Sequence, residues 1–233
     1  MSAPVADVIR LIALGVPILC VDTCTVLDIM RDPTRKEIRP RERQSGLDLL
    51  GLIERKNVAN LVADQVNLEF QEQVQAVQEE AEKALKKLGD LLATIDDTAA
   101  IFGASARTDL SHLDGHVVRS RKIADRWIAA SLTVSQTTDI ASRAFNRINR
   151  AITPARRGKD SMKDCVVIET YLDIIATLRS AGLRTPIVFA SSNTKDYAQE
   201  NSSRLKSDLA AEFTALNIEY APNLSAAKDL LGF

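Results

Sequence analysis

The chain has 233 residues, a formal net charge of −1 and 26% charged residues. This length is enough to bury a substantial core, while the near-neutral charge excludes a globally basic nucleic-acid or membrane protein, so any basic surface must be local. Aromatic residues make up only 4%, and the dominance of small and branched aliphatic residues favours helices around a small sheet. Cys20, Cys24 and Cys165 are odd in number and form no CxxC pair, which disfavours disulfides and a zinc knuckle and favours a reducing, cytoplasmic compartment.

The N-terminal stretch predicts a helix rather than a signal peptide. Residues 3–14 have apolar side chains at helical spacing, and Gly15 to Pro17 then break the pattern. The apolar run from Leu11 to Val21 is far shorter than the roughly 20 residues that a membrane span needs. We therefore expect no membrane partner.

The stretch PILCVDTCTVLDIM at 17–30 predicts the centre of the fold. Four apolar residues at 18–21 are typical of a strand buried on both faces, which belongs to a parallel sheet covered by helices. Asp22 then lies at the carboxyl end of that strand, where open α/β sheets bind ligands. The alternative is that Asp22 only caps the next helix through the amides of Cys24 or Thr25.

The next elements alternate between helix and strand. A polar Arg-rich loop is followed by a helix that Ser45 caps and that runs to about Arg55. Residues 58–66 then predict a second strand. From Gln65 onward the residues are strong helix formers with apolar positions at helical spacing, and Glu69 lies in the first turns of this helix.

Residues 90–152 predict a helical block without a strand. The part from 117 to 159 is locally basic, with ten Arg and Lys residues against Asp125 and Asp139. These basic residues are either a solvated helix face or a surface that contacts phosphates. In the first case the arginines pair with the acidic helix at 79–82 and attach the block to the core.

The C-terminal part returns to strands and helices. A helix is expected at 161–180 with Asp164 in its first turn, then a strand at 187–190 that is followed by Asn193 and Asp196. A helix at 203–216, a strand at 218–221 and a terminal helix at 225–231 complete the chain. The alternation predicts a parallel sheet with right-handed crossovers.

Four acids lie at equivalent positions in this arrangement of strands and helices. Each ends a strand or begins a helix, so all can converge on the carboxyl edge of the sheet. Close carboxylates repel one another unless a cation lies among them, and Mg²⁺ or Mn²⁺ takes such oxygen ligands. Phosphodiester hydrolysis is the chemistry that most needs this set. The four acids are Asp22, Glu69, Asp164 and Asp196.

Four motifs in the same order resemble the PIN domain family of metal-dependent nucleases, which includes the toxin ribonucleases of bacterial toxin-antitoxin pairs. The motifs are VDTCTVLDI at 21–29, NLEF at 67–70, KDSMKDCVVIETYL at 159–172 and FASSNTKDYA at 189–198. The resemblance implies an α/β three-layer sandwich with a central parallel sheet of about four to five strands. It covers 16–72 and 158–221, so we expect a single domain over 1–233 with a helical insertion at 90–152.

The resemblance also implies roles for particular residues. Asp22, Glu69 and Asp164 match the first three acids of the family. Asn193 stands where an Asp is frequent in the family, and Asp196 is expected to replace the missing acid with Asn193 assisting at the metal. Side chains beside the acids and in the basic block are candidate substrate contacts: Thr23, Lys159, Lys163, Lys195, Arg143, Arg147 and Arg150.

Three functions compete. The first is a Mg²⁺- or Mn²⁺-dependent endoribonuclease that cleaves single-stranded RNA, with an antitoxin, another protein or a second copy as further partners. The second is a weak or inactive module that binds RNA or a protein through the helical block, and Asn193 favours it. The third, a small α/β phosphohydrolase, is disfavoured because DTCT lacks the DxD spacing of phosphoaspartate enzymes.

Overall fold

The computed structural model describes residues 5–36, 38–156, 158, 160–200 and 202–233. Five strands and ten α-helices are described, together with a 3-10 turn at Ser111–Leu113. The strands are β1 (Ile18–Val21), β2 (Ala59–Ala63), β3 (Leu132–Val134), β4 (Ile187–Ala190) and β5 (Glu219–Ala221). The helices are α1 (Val5–Leu14), α2 (Thr23–Leu27), α3 (Pro40–Glu54), α4 (Asp64–Ile101), α5 (His116–Ala130), α6 (Thr138–Asn149), α7 (Met162–Ser180), α8 (Thr194–Tyr197), α9 (Ser207–Leu216) and α10 (Leu224–Leu230).

The strands form one parallel sheet in the order β3-β2-β1-β4-β5. Strands β1, β2 and β4 are buried along their whole length. The continuous apolar sequences of β1 and β4 predict this burial, whereas β2 also buries the polar residue Asn60. Helices cover the sheet, and the α/β class and parallel topology inferred from the sequence are confirmed. Because β1 is central, Asp22 lies in the middle of the carboxyl edge.

Several expectations about elements were wrong. Strand β2 ends at Ala63 instead of residue 66, and helix α9 begins at Ser207 instead of residue 203. The block at 90–152 contains β3, which pairs with β2 and forms an edge of the sheet. Strand β3 has three residues, one of them exposed, and is too short to show the alternation of apolar and polar residues that predicts a strand. Helix α3 begins at Pro40, five residues before Ser45, because proline suits the first helical turn and the Glu42 carboxylate accepts a hydrogen bond from the Arg39 amide.

Helix α4 changes character along its length. Its first half buries a stripe of residues against the core, from Val66 through Phe70, Val74 and Val77 to Ala81. Beyond Ala81 the helix continues for five turns with mostly exposed side chains. Within the described residues, no helix combines the length and the apolar composition that a membrane span requires.

Candidate active site at the carboxyl edge of the sheet

Asp22 is the buried centre of the site, with 4% of its surface exposed. Its Oδ1 accepts a hydrogen bond from the Thr23 amide at 2.8 Å, so the carboxylate does cap α2, although not through the amides of Cys24 or Thr25. Its Oδ2 accepts from the Ser191 hydroxyl at 2.8 Å and from the Cys24 thiol at 3.3 Å. The capping and functional interpretations of Asp22 are therefore compatible.

The register of the sheet explains why Ser191 meets Asp22. Val21 of β1 lies opposite Ala190 of β4, so the residues that follow the two strands are neighbours. Tyr171 of α7 holds the same edge from below, because its buried hydroxyl donates to the Val21 carbonyl at 2.6 Å and accepts from the Ala63 amide at 3.1 Å. The ends of β1 and β2 are thus held together beneath the site.

Glu69 reaches the same region from α4. It lies on the buried stripe of that helix, one turn after Val66, and is 9% exposed. Its Oε2 accepts a hydrogen bond from the Thr23 hydroxyl at 2.7 Å and its Oε1 from the Gln65 amide at 3.2 Å. Thr23 is therefore a buried link from α2 to Glu69, and its role as a substrate contact stays a prediction.

Asp196 follows β4 on the short helix α8 and is 2% exposed. Its Oδ2 accepts from the Asn193 amide at 2.6 Å, and its Oδ1 accepts from the Arg156 guanidinium at 3.2 Å. Asn193 therefore supports Asp196, the acid expected to replace the missing family residue. The amide nitrogen, and not the oxygen, of Asn193 faces that carboxylate.

Asp164 lies in the first turn of α7 and is half-buried. Its charge, together with those of Asp22 and Asp196, acts on the hydroxyl of Tyr197. That hydroxyl is fully buried and has no hydrogen-bond partner within the part of the chain that the structure describes. The three acids therefore all contribute to the electrostatic environment of one buried hydroxyl.

The electrostatics of the site oppose ionisation. Burial is the main cause that raises the pKa of Asp22, and the nearby charge of Asp196 adds to it. Burial also raises the pKa of Glu69, with a further contribution from Asp22. Burial and the Asp22 charge raise the pKa of the Cys24 thiol, so this cysteine is a neutral donor to Asp22.

The donor set fits a hard divalent cation in its chemistry. Asp22 and Glu69 are buried acids whose hydrogen-bond donors are all neutral, so their charges lack a directly bonded cation. As the described side chains stand, however, no three acids, histidines or cysteines converge closely enough to hold an ion. Metal binding by the four acids stays a prediction.

The basic helix α6 has a different role from the one expected. Arg147 is 3% exposed, and its guanidinium donates to Glu169 of α7, to Glu212 of α9 and to the Thr153 carbonyl. A buried, fully bonded arginine cannot contact a substrate, so this prediction was wrong. The acids that it pairs with also differ from the expected helix at 79–82.

Arg143 is bonded in the same way but at the surface. It pairs with Glu169 at 3.0 Å and with Asp173 at 2.7 Å, with 40% of its side chain exposed. Arg143 therefore joins α6 to α7, and its role as a substrate contact stays a prediction. Among the α6 candidates, Arg150 is exposed at the end of the helix.

The lysine candidates remain at the surface. Lys163 pairs with Glu72 of α4 at 2.8 Å, and more than half of its side chain is exposed. Lys195 is exposed on α8, next to Asp196. Lys159 lies outside the described residues. Substrate binding by Lys163, Lys195 and Arg150 stays a prediction.

Three contributors to the site were missed by the sequence reasoning as site residues. Ser191 follows β4 as Asp22 follows β1, so the argument used for Asp22 would have found it. Arg156 was expected in a basic loop that leads towards the acids, but its contact with Asp196 was not predicted. Tyr171 gave no signal, because an aromatic residue on a buried helix face is usually core.

Comparison with known families identifies one match. The profile described as the PIN domain matches residues 19–197, which is more than half of the chain and includes the 90–152 block. The resemblance therefore extends across the middle block that it was expected to leave unmatched. Comparison with curated proteins and with solved structures finds no match.

Proposed function

The chain belongs to the PIN domain family, whose members are generally nucleases, and we propose that it is a metal-dependent endoribonuclease of single-stranded RNA. The observation that carries this proposal is the pair of buried acids, Asp22 and Glu69, whose hydrogen bonds from the described residues all come from neutral groups. Such an arrangement costs folding free energy unless a cation compensates it. Sites that retain such a cost are functional candidates.

The proposed ligands are Asp22, Glu69, Asp164 and Asp196, for Mg²⁺ or Mn²⁺. The ion, when bound, neutralises the phosphate, lowers the pKa of a water and stabilises the leaving oxygen. The protein orients the carboxylates in advance, through Ser191 and the α2 amide for Asp22 and through Thr23 for Glu69. The surrounding burial excludes bulk water from the acids, which strengthens their interaction with any bound charge.

A second candidate is a binding module with weak or no cleavage. It is supported by Asn193 at a position where the family often has an acid, and by the Arg156 guanidinium on Asp196. An RNA substrate, an antitoxin-type or other protein partner and a homodimer all stay predictions.

The test is cleavage of an end-labelled single-stranded RNA with Mn²⁺ or Mg²⁺, followed by EDTA. We expect cleavage that EDTA stops, and a loss of at least about 100-fold in Asp22→Asn, because even groups that only support metal ligands cost 10–100-fold. Asp97→Asn is the matched control, since Asp97 lies in the exposed C-terminal half of α4, where it pairs with Arg107. EDTA-resistant cleavage, or none by the folded wild type, would refute the proposal.

A further inference from the structure

A groove of about 720 Å³ lies beside Asp196, between α8 and the beginning of α9. Thr194 and Lys195 of α8 form one wall, Lys206 forms another, and Arg156 enters from the loop before α7. The connecting segment contributes Ser203 and neighbouring polar residues. Arg156 therefore connects the groove to the Asp196 carboxylate, with which it pairs at 3.2 Å.

The charge of this groove is positive. Arg156, Lys195 and Lys206 line the groove, and Glu200 is the one acid among the described lining residues. Asp196 adds one further negative charge at Arg156, so the three cations still exceed the acids. The Lys206 ammonium donates to the Asp196 carbonyl at 2.8 Å, which ties the beginning of α9 to α8 and fixes the groove's shape. The hydroxyls of Thr194 and Ser203 add donors suited to phosphate oxygens.

A second groove of about 580 Å³ on the other side of Asn193 provides an internal comparison. Its lining contains Arg31 and Arg35, but also Asp28 and Glu42, so its charges balance. Arg31 is bonded to Asp28 at 2.8 Å. Of these two grooves beside the acids, only the one between α8 and α9 has an excess of positive charge.

We propose that the groove between α8 and α9 binds the phosphate backbone of single-stranded RNA next to the scissile phosphate. The proposal rests on the proposed function and identifies the surface that the bound RNA backbone follows beyond the acids. Lys195 contributes an exposed ammonium that neutralises one phosphate, and Arg156 links this path to Asp196. A flexible single strand can follow a recessed groove, whereas a regular duplex presents its backbone on a stiff, broad surface.

The test is the binding of a short fluorescein-labelled single-stranded RNA, measured by anisotropy in EDTA at several salt concentrations. Lys195→Gln should weaken binding several-fold and make the slope of log affinity against log salt shallower by about 0.7, because one phosphate contact is lost. Lys122→Gln is the matched control. Lys122 is exposed on α5, which packs against α3 and α4.

The outcomes separate the groove from the proposed function. If the wild type cleaves RNA but Lys195→Gln and the stronger Lys195→Glu bind as the wild type does, the groove proposal is wrong and the nuclease stands. If the wild type binds RNA through Lys195 without cleaving it, the groove stands and the nuclease fails. Equal weakening on a duplex of the same sequence would overturn the single-strand assignment.

Discussion

Two buried glutamates, Glu69 and Glu169, differ in how the protein compensates their charge. They are 9% and 8% exposed, respectively. Glu169 bonds to two guanidiniums, those of Arg143 and Arg147. Glu69 bonds only to the Thr23 hydroxyl and the Gln65 amide, while the charge of Lys163 acts on it as a minor effect. One buried charge is neutralised by direct contact and the other is not.

This difference separates a structural acid from a functional candidate. Burying a charge is costly unless it is paired and hydrogen-bonded. The Glu169 network joins α6, α7 and α9 through two arginines and three acids, each of which is in an ion pair. The Glu69 carboxylate keeps this energetic cost, and it lies at the carboxyl edge of the sheet, where open α/β sheets bind ligands. Three changes test the comparison.

The largest expected effect is at the network around Glu169, whose buried charge is paired with Arg143 and Arg147. Arg147→Ala should lower the free energy of unfolding by about 3–5 kcal/mol, because it leaves Glu169 buried without one of its partners. Chemical denaturation monitored by circular dichroism measures this loss. Arg150→Ala, an exposed change on the same helix, should stay within about 0.5 kcal/mol of the wild type. Equal effects of the two changes would show that burial does not distinguish these arginines.

A smaller effect of opposite sign is expected at the uncompensated acid. Glu69→Gln should raise the melting temperature at neutral pH in EDTA, because the neutral amide removes the cost of the buried charge. The Thr23 hydroxyl can rotate to accept from the new amide, so the hydrogen bond is kept.

The raised pKa of Glu69 determines the direction in which stability changes with pH. Its pKa is raised in the folded state, mainly by burial, so the folded protein binds this proton more tightly than the unfolded chain. The wild type therefore loses stability relative to Glu69→Gln as the pH rises from the ordinary carboxyl pKa through the raised one. Below that window the two proteins should melt alike. A stability gap that widens as the pH falls would contradict this account.

The smallest effect concerns the guanidinium of Arg156, which pairs with Asp196. Arg156→Gln should raise the affinity for Mn²⁺ by up to about fivefold in calorimetric titrations, because a half-exposed guanidinium contributes at most about 1 kcal/mol at the carboxylate. Arg204→Gln removes the same charge from an exposed position in the loop before α9 and is the control. Unchanged affinity in Arg156→Gln would indicate that Asp196 does not contact the metal.

Much of the fold could be predicted from the sequence because its signals are local. The apolar run before Asp22 and the run that forms β4 are buried strands, and alternation with helices implies a parallel sheet. The same reasoning brought Asp22 and Asp196 to one edge. Strand β3 was missed because its three residues are too few to show an alternating pattern. The start of α3 was placed too late because Pro40 was taken as part of the preceding loop.

The sequence by itself therefore determined the family motifs, the parallel sheet and the edge at which the acids lie. Only the tertiary structure decided which charges are compensated. Arg147 and Arg156 both belong to the basic stretch between 117 and 159. Arg147 is enclosed by acids of α7 and α9, whereas Arg156 pairs with Asp196 and lines a groove. The reason is physical: strand and helix patterns depend on neighbours along the chain, whereas the partners of a charge come from distant segments that only folding brings together.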